Sequence, residues 1–134
     1  MNVGMASERK QRILIVDDDE NICSMLRSYF ESLGYEVRTC MSSVNLFQNV
    51  DEIRADIILL DVMMSWLDGF RVCKLLKSNP LTRNIPVLMM SARAGDEDIR
   101  QGLAAKAEDY FVKPFNLDRL QGRVSELLST ELPN

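Results

Sequence analysis

Four short apolar runs punctuate this chain, and no other feature constrains its fold as strongly. They are Ile13-Leu14-Ile15-Val16, Ile57-Ile58-Leu59-Leu60, Val87-Leu88-Met89-Met90 and Tyr110-Phe111-Val112. Continuous apolar runs of this length suit strands buried on both faces, as in a parallel sheet covered by helices. A fifth segment, Tyr35 to Cys40, alternates Tyr35, Val37 and Thr39 against Glu36, Arg38 and Cys40, which predicts an edge strand.

Helical spacing fills the intervals. After Asp19, the residues Ile22, Met25, Leu26, Tyr29, Phe30 and Leu33 recur every three or four positions, and Gly34 is placed to stop that helix. Ser43 to Val50 carries a shorter pattern through Val44, Phe47 and Val50. Asp68 to Leu76 repeats Phe70, Val72, Cys73, Leu75 and Leu76, closed by Asn79-Pro80. Asp96 to Ala105 is a weaker helix, and Leu117 to Leu128 a strong one. Gly95 and Gly102 each weaken a helix interior by ~1 kcal/mol relative to alanine, so the fourth helix is expected to be marginal. The alternation is (βα)5 from about Arg12 to Ser129, which predicts a single α/β domain with a doubly wound parallel sheet and right-handed crossovers. Residues 1–11 and 130–134 read as polar tails.

In such a sheet the strand C-termini share one edge, and ligands bind beyond it. Asp17 and Asp18 follow the first run, Asp61 the second, Ser91 the third and Lys113 the fourth. Three carboxylates, a hydroxyl and an ammonium therefore converge despite their separation along the chain. Clustered carboxylates repel one another unless a hard cation such as Mg²⁺ sits among them. With Lys113 and Ser91 added, the set forms a cradle for an anionic group, and phosphoryl transfer fits best. A carboxylate can itself be the nucleophile, and Asp61, alone at a central strand end, is the candidate.

Composition enters here through exclusion. The chain of 134 residues contains no histidine, which removes histidine-based general acid–base catalysis, the usual triads and most zinc sites. Its net charge of −4, without a long basic run, argues against direct nucleic-acid binding. Cys23, Cys40 and Cys73 are too few and scattered for a disulfide framework and read as reduced, packed thiols of a cytoplasmic protein. There is neither a signal-peptide pattern nor an apolar run long enough to span a membrane.

The motifs Ile13-Leu14-Ile15-Val16-Asp17-Asp18-Asp19, Leu59-Leu60-Asp61-Val62-Met63-Met64 with Asp68-Gly69-Phe70, Pro86 to Ala92, and Asp109 to Phe115 resemble receiver domains of two-component response regulators. The resemblance covers about residues 12–129 and is closest in kind to stand-alone, chemotaxis-type receivers. It implies a flavodoxin-like fold with strand order 2-1-3-4-5. By the same resemblance, Asp61 accepts phosphoryl from a phosphohistidine. Asp18, Asp61 and the Met63 backbone carbonyl ligate Mg²⁺, and Asp17 assists through water. Lys113 pairs with the phosphate, Ser91 turns in to bond it, and Tyr110 rotates inward as an aromatic switch. The Lys113–Pro114 bond is expected to be cis. The implied partners are a sensor histidine kinase or histidine phosphotransfer protein and a downstream effector protein, with a homodimer on phosphorylation as a further option. The missing histidine then places this chain on the receiving side of the relay.

Two positions depart from the family pattern. Met64 is followed by Ser65 and Trp66 where receivers commonly have Pro-Gly, and Lys106 stands where a glycine commonly ends the fourth helix. Asp19 and Glu20 are better suited to a helix N-terminus than to the metal site. Two other functions compete with a phosphoacceptor switch. A haloacid-dehalogenase-type phosphatase would place a second Asp two residues after the nucleophile, where Met63 stands, although Asp17 and Asp19 have that spacing. A docking-only pseudo-receiver is disfavoured by the intact acidic, hydroxyl and lysine positions. Output is expected through the fourth helix, fifth strand and fifth helix, with Arg100, Lys106, Arg119, Arg123 and Glu126 as candidate contacts.

Overall fold

The computed structural model describes residues 9–41, 46–64 and 67–129. Ser65 and Trp66, and the start of the pattern that begins at Ser43, lie outside the described residues. The main sheet has five strands: β1 (Arg12–Val16), β2 (Glu36–Cys40), β3 (Ile57–Asp61), β4 (Val87–Ser91) and β5 (Asp109–Val112). All neighbours are parallel, in the order β2-β1-β3-β4-β5. Among the described residues, five helices alternate with them: α1 (Glu20–Ser32), α2 (Leu46–Ile53), α3 (Gly69–Ser78), α4 (Asp96–Ala104) and α5 (Leu117–Ser129).

Side chains along a strand point alternately to opposite faces, so each buried run feeds two cores. Leu14, Val16, Ile58, Leu60, Val87 and Met89 pack on one face with Leu46 and Val50 of α2, Val72, Cys73 and Leu76 of α3, and Ala105 after α4. Ile13, Ile15, Ile57, Leu59, Leu88 and Met90 pack on the other with Leu26 and Phe30 of α1 and Leu120, Val124 and Leu128 of α5. Both faces of the central strands are therefore dry, which accounts for unbroken apolar runs where a one-sided sheet would alternate.

Cys40 alternates with Thr39 on the edge strand yet is buried, as its reading as a packed thiol expects, against Leu46 and Val50 of α2. Other local expectations are corrected. In α2 the core residues are Leu46 and Val50, while Phe47 is turned outward. Gly95 is the N-cap of α4 and not an interior residue, so only Gly102 sits inside that helix. Gly102 also has a packing reason: a Cβ there would lie 2.9 Å from the Tyr110 ring and 3.1 Å from Met89 Sδ.

Lys106 has φ of 72°, the left-handed conformation a glycine adopts without hindrance, and Arg54 has φ of 53°. The Cβ clash in this region is worth ~1–2 kcal/mol, partly offset by the extra freedom glycine loses on folding. Lys106→Gly is accordingly expected to raise the unfolding free energy by about 0.5–1 kcal/mol in urea titrations.

Candidate functional site

The C-terminal strand ends deliver the expected polar set to one place. Asp17 follows β1 and is fully buried; Asp61 and Ser91 close β3 and β4 with exposures of 5% and 0%. Lys113 follows β5, its backbone N–H bonded to the Ser91 carbonyl at 2.7 Å, and the Lys113–Pro114 bond is cis. The Lys113 ammonium donates to Asp17 Oδ2 at 2.8 Å and lies 3.4 Å from Asp61 Oδ2. Its tighter partner is Asp17.

The remaining carboxylate oxygens are also held. Asp17 Oδ1 accepts the Asp19 N–H at 2.9 Å, and Asp61 Oδ1 accepts the Met63 N–H at 3.2 Å. Asp18 is exposed at the rim, and one oxygen from each of Asp17, Asp18 and Asp61 lies within 4.8 Å of the others. This all-oxygen, multiply anionic donor set fits a hard divalent cation. Asp19 caps α1 through the Asn21 and Ile22 amides at 2.9 and 3.3 Å, as its sequence position implied.

Electrostatics follow from the crowding. Burial raises the Asp61 carboxyl to about 6, and the Asp17 charge adds to this, while Lys113 and the Met63 amide act in the opposite direction. Burial alone would lower the Lys113 ammonium, but its hydrogen bond and charge interaction with Asp17, reinforced by Asp61, raise it. Cys23 donates to the Asp17 carbonyl, and burial followed by the Asp17 charge pushes its thiol up to about 11, so it stays protonated beside the site.

A pair of two-residue strands, Met63–Met64 and Leu67–Asp68, folds the segment after Asp61 back on itself. Asp68 then caps α3 through the Phe70 and Arg71 amides. Gly69 fits against the chain it has just left: its N–H donates to the Val62 carbonyl at 2.9 Å, and an added Cβ would sit 2.6 Å from Val62 Cα and 2.8 Å from the Asp61 carbonyl oxygen.

Sequence reasoning missed Arg93. Its N–H donates to Ser91 Oγ at 3.0 Å, and its carbonyl accepts the Tyr110 hydroxyl at 2.8 Å. Its guanidinium reaches Met63 Sδ at 3.1 Å and lies 2.5 Å from Asp98 Oδ1 at the start of α4. Among the described residues, the buried Asp98 Oδ1 accepts no hydrogen bond despite this close approach. One loop residue thus touches the candidate switch residues and α4. A cation two positions past Ser91 was the available signal.

Residues 13–125 match the family model for the response regulator receiver domain. The chain belongs to this family. Receiver domains act as phosphoacceptor switches in two-component signalling and typically bind Mg²⁺ at an acidic pocket, and this chain has a cluster of Asp17, Asp18 and Asp61. Among curated relatives, the DNA-binding dual master transcriptional regulator RpaA of Synechocystis sp. is 37% identical, over 87% of this chain and 48% of that protein. The response regulator PleD of Caulobacter vibrioides is 41% identical, over 90% of this chain and 27% of that protein. This receiver domain therefore spans about half or less of these relatives' length. A crystal structure of a response regulator from Chloroflexus aurantiacus superimposes with a TM-score of 0.84 at 34% identity, covering 90% of this chain and 99% of that one. No helix among the described residues is long and apolar enough to cross a membrane.

Proposed function

We propose that this receiver domain accepts a phosphoryl group on Asp61 from a phosphohistidine of a sensor histidine kinase or histidine phosphotransfer protein, in a Mg²⁺-dependent transfer. The observation that carries this reading is the meeting of Lys113 with Asp17 and Asp61 at the strand ends, beside the three-carboxylate oxygen cluster. An Asp61 oxygen forms the new P–O bond as the P–N bond breaks, and the donor imidazole leaves with that electron pair. Lys113, fixed by Asp17, places a positive charge beside the incoming oxygens. The Ser91 hydroxyl accepts from Arg93 and retains its own proton to donate to a phosphoryl oxygen. Asp18, Asp61 and the Met63 backbone carbonyl would hold Mg²⁺ directly and Asp17 through water. When bound, the ion supplies charge neutralisation among the carboxylates and phosphoryl oxygens.

Switching in this reading runs through Arg93. If Ser91 turns toward the phosphoryl group, it gives up the Arg93 amide, and Tyr110 and Asp98 lose a fixed partner. That would release Tyr110 to rotate inward, rearranging the face made by α4, β5 and α5 for a protein partner or a second copy. Of the candidate contacts there, Arg123 is already engaged by Asp109 and Glu126, and Arg100 by Glu97, so partner binding would exchange these pairs. Hydrogen exchange should change within residues 94–106 on adding beryllofluoride; identical protection would contradict this route. The buried thiols agree with a cytoplasmic setting.

Two measurements test the metal and the transfer together. Phosphoryl uptake from acetyl phosphate should require Mg²⁺ and cease in EDTA; uptake unaffected by chelation would refute the mechanism. Without a phosphodonor, Mg²⁺ at a hundredfold excess over its Kd should stabilise the fold by about 2.7 kcal/mol. Asp18→Asn should lose most of that gain in thermal melts.

A further inference from the structure

We infer that the outer groove between α3 and α4 is a docking surface for an acidic, amphipathic helical segment of a partner protein. Among the five described helices, only α3 carries basic residues, Arg71, Lys74 and Lys77, with no acidic one, in a chain whose net charge is −4. Arg71 lies in the first turn, where the helix dipole disfavours a cation, so terminal electrostatics do not account for it. Lys77 is used internally: its side chain is 8% exposed and donates to the Ile85 carbonyl at 2.8 Å and to Glu108 at 3.0 Å. The Arg71 and Lys74 side chains are exposed and, among the described residues, make neither an ion pair nor a hydrogen bond.

The two helices present matched faces. Arg71, Lys74, Leu75 and Ser78 stand at i, i+3, i+4 and i+7, all exposed, with Leu75 at 49%. Arg100, Leu103 and Ala104 repeat that spacing on α4, with Leu103 at 59%. Lys74 and Ser78 from one side and Ala104 and Lys106 from the other line a cleft of about 180 Å³, with buried Ala105 also in its lining. Small residues in the cleft let a helix approach closely, and Leu75 beside the exposed Arg71 and Lys74 suits a ligand helix bearing leucines flanked by Glu or Asp. Charge complementarity selects an acidic partner. The exposed leucines favour a protein over nucleic acid, whose phosphate backbone offers them little apolar surface.

The test is selection of a displayed library of helix-forming peptides, each about 16 residues and so about 24 Å long, against the whole chain. Enriched peptides should carry Glu or Asp around leucines at helical spacing. They should bind R71E/K74E at least about tenfold more weakly, and bind the wild type more weakly as salt is raised. Amide shifts on binding should fall within residues 71–78 and 100–106. R71E/K74E changes exposed side chains alone, and its phosphoryl uptake should match the wild type, which confirms that it is folded. The inference is overturned if the selected peptides are not acidic, if they bind R71E/K74E equally, or if their shifts map elsewhere. A short DNA duplex that binds these residues more tightly than any selected peptide would overturn it as well.

Discussion

Gly69→Ala is expected to lower the unfolding free energy by about 2–3 kcal/mol, the upper range for overpacking, and to cut phosphoryl uptake with it. The methyl group would meet backbone, Val62 Cα at 2.6 Å and the Asp61 carbonyl oxygen at 2.8 Å, and backbone cannot swing aside as a side-chain tip can. Relief requires α3 to back away from the end of β3. That movement would strain the Gly69–Val62 hydrogen bond and displace Asp61 from Lys113. Gly122 supplies the control. It lies inside α5 with nothing within 4 Å of an added Cβ, so Gly122→Ala should be stabilising by about 0.5–1 kcal/mol through helix propensity alone. Urea unfolding of both variants distinguishes a packing constraint from a general intolerance of substitution.

Asp61→Asn should act in the opposite direction, stabilising the divalent-free protein by about 3 kcal/mol at neutral pH. The Asp61 carboxyl is raised from its ordinary 3.8 to about 6, by burial first and by Asp17 second. Below the unfolded value both states hold the proton, and Asp61 imposes no penalty. Between 3.8 and about 6 the unfolded chain releases its proton while the folded chain retains it, so stability falls as pH rises. Above that window the penalty is complete, and asparagine, which cannot ionise, escapes it. The difference between wild type and Asp61→Asn should therefore be large at neutral pH and shrink toward zero near the low end of the window. Adding Mg²⁺ should narrow the neutral-pH gap by stabilising the wild type more than the variant. Urea midpoints across this range in EDTA and in Mg²⁺ provide the check; a variant less stable than the wild type in EDTA would contradict the electrostatic picture.

The architecture was legible because burial on both sheet faces writes itself as unbroken apolar runs. Asp17, Asp61, Ser91 and Lys113 were legible because each follows such a run, and a parallel sheet brings those ends together. What escaped depends on contacts that spacing does not encode. Phe47 looked like a core residue by spacing, yet it is turned outward. Gly95 and Gly102 looked alike in sequence, but one caps α4 and the other makes room for the Tyr110 ring. The left-handed Arg54 carries no local signature, and Arg93 gains significance only once Ser91, Met63, Asp98 and Tyr110 surround it.

The central claim is that one carboxylate among three takes the phosphoryl group. Its most direct test is to phosphorylate the chain with acetyl phosphate and Mg²⁺, reduce the acyl phosphate with borohydride, and locate the modified residue by peptide mass spectrometry. The reduced product should map to Asp61 alone and be absent from Asp61→Ala. A product at Asp17 or Asp18 in the wild type, or phosphorylation undiminished in Asp61→Ala, would contradict the account.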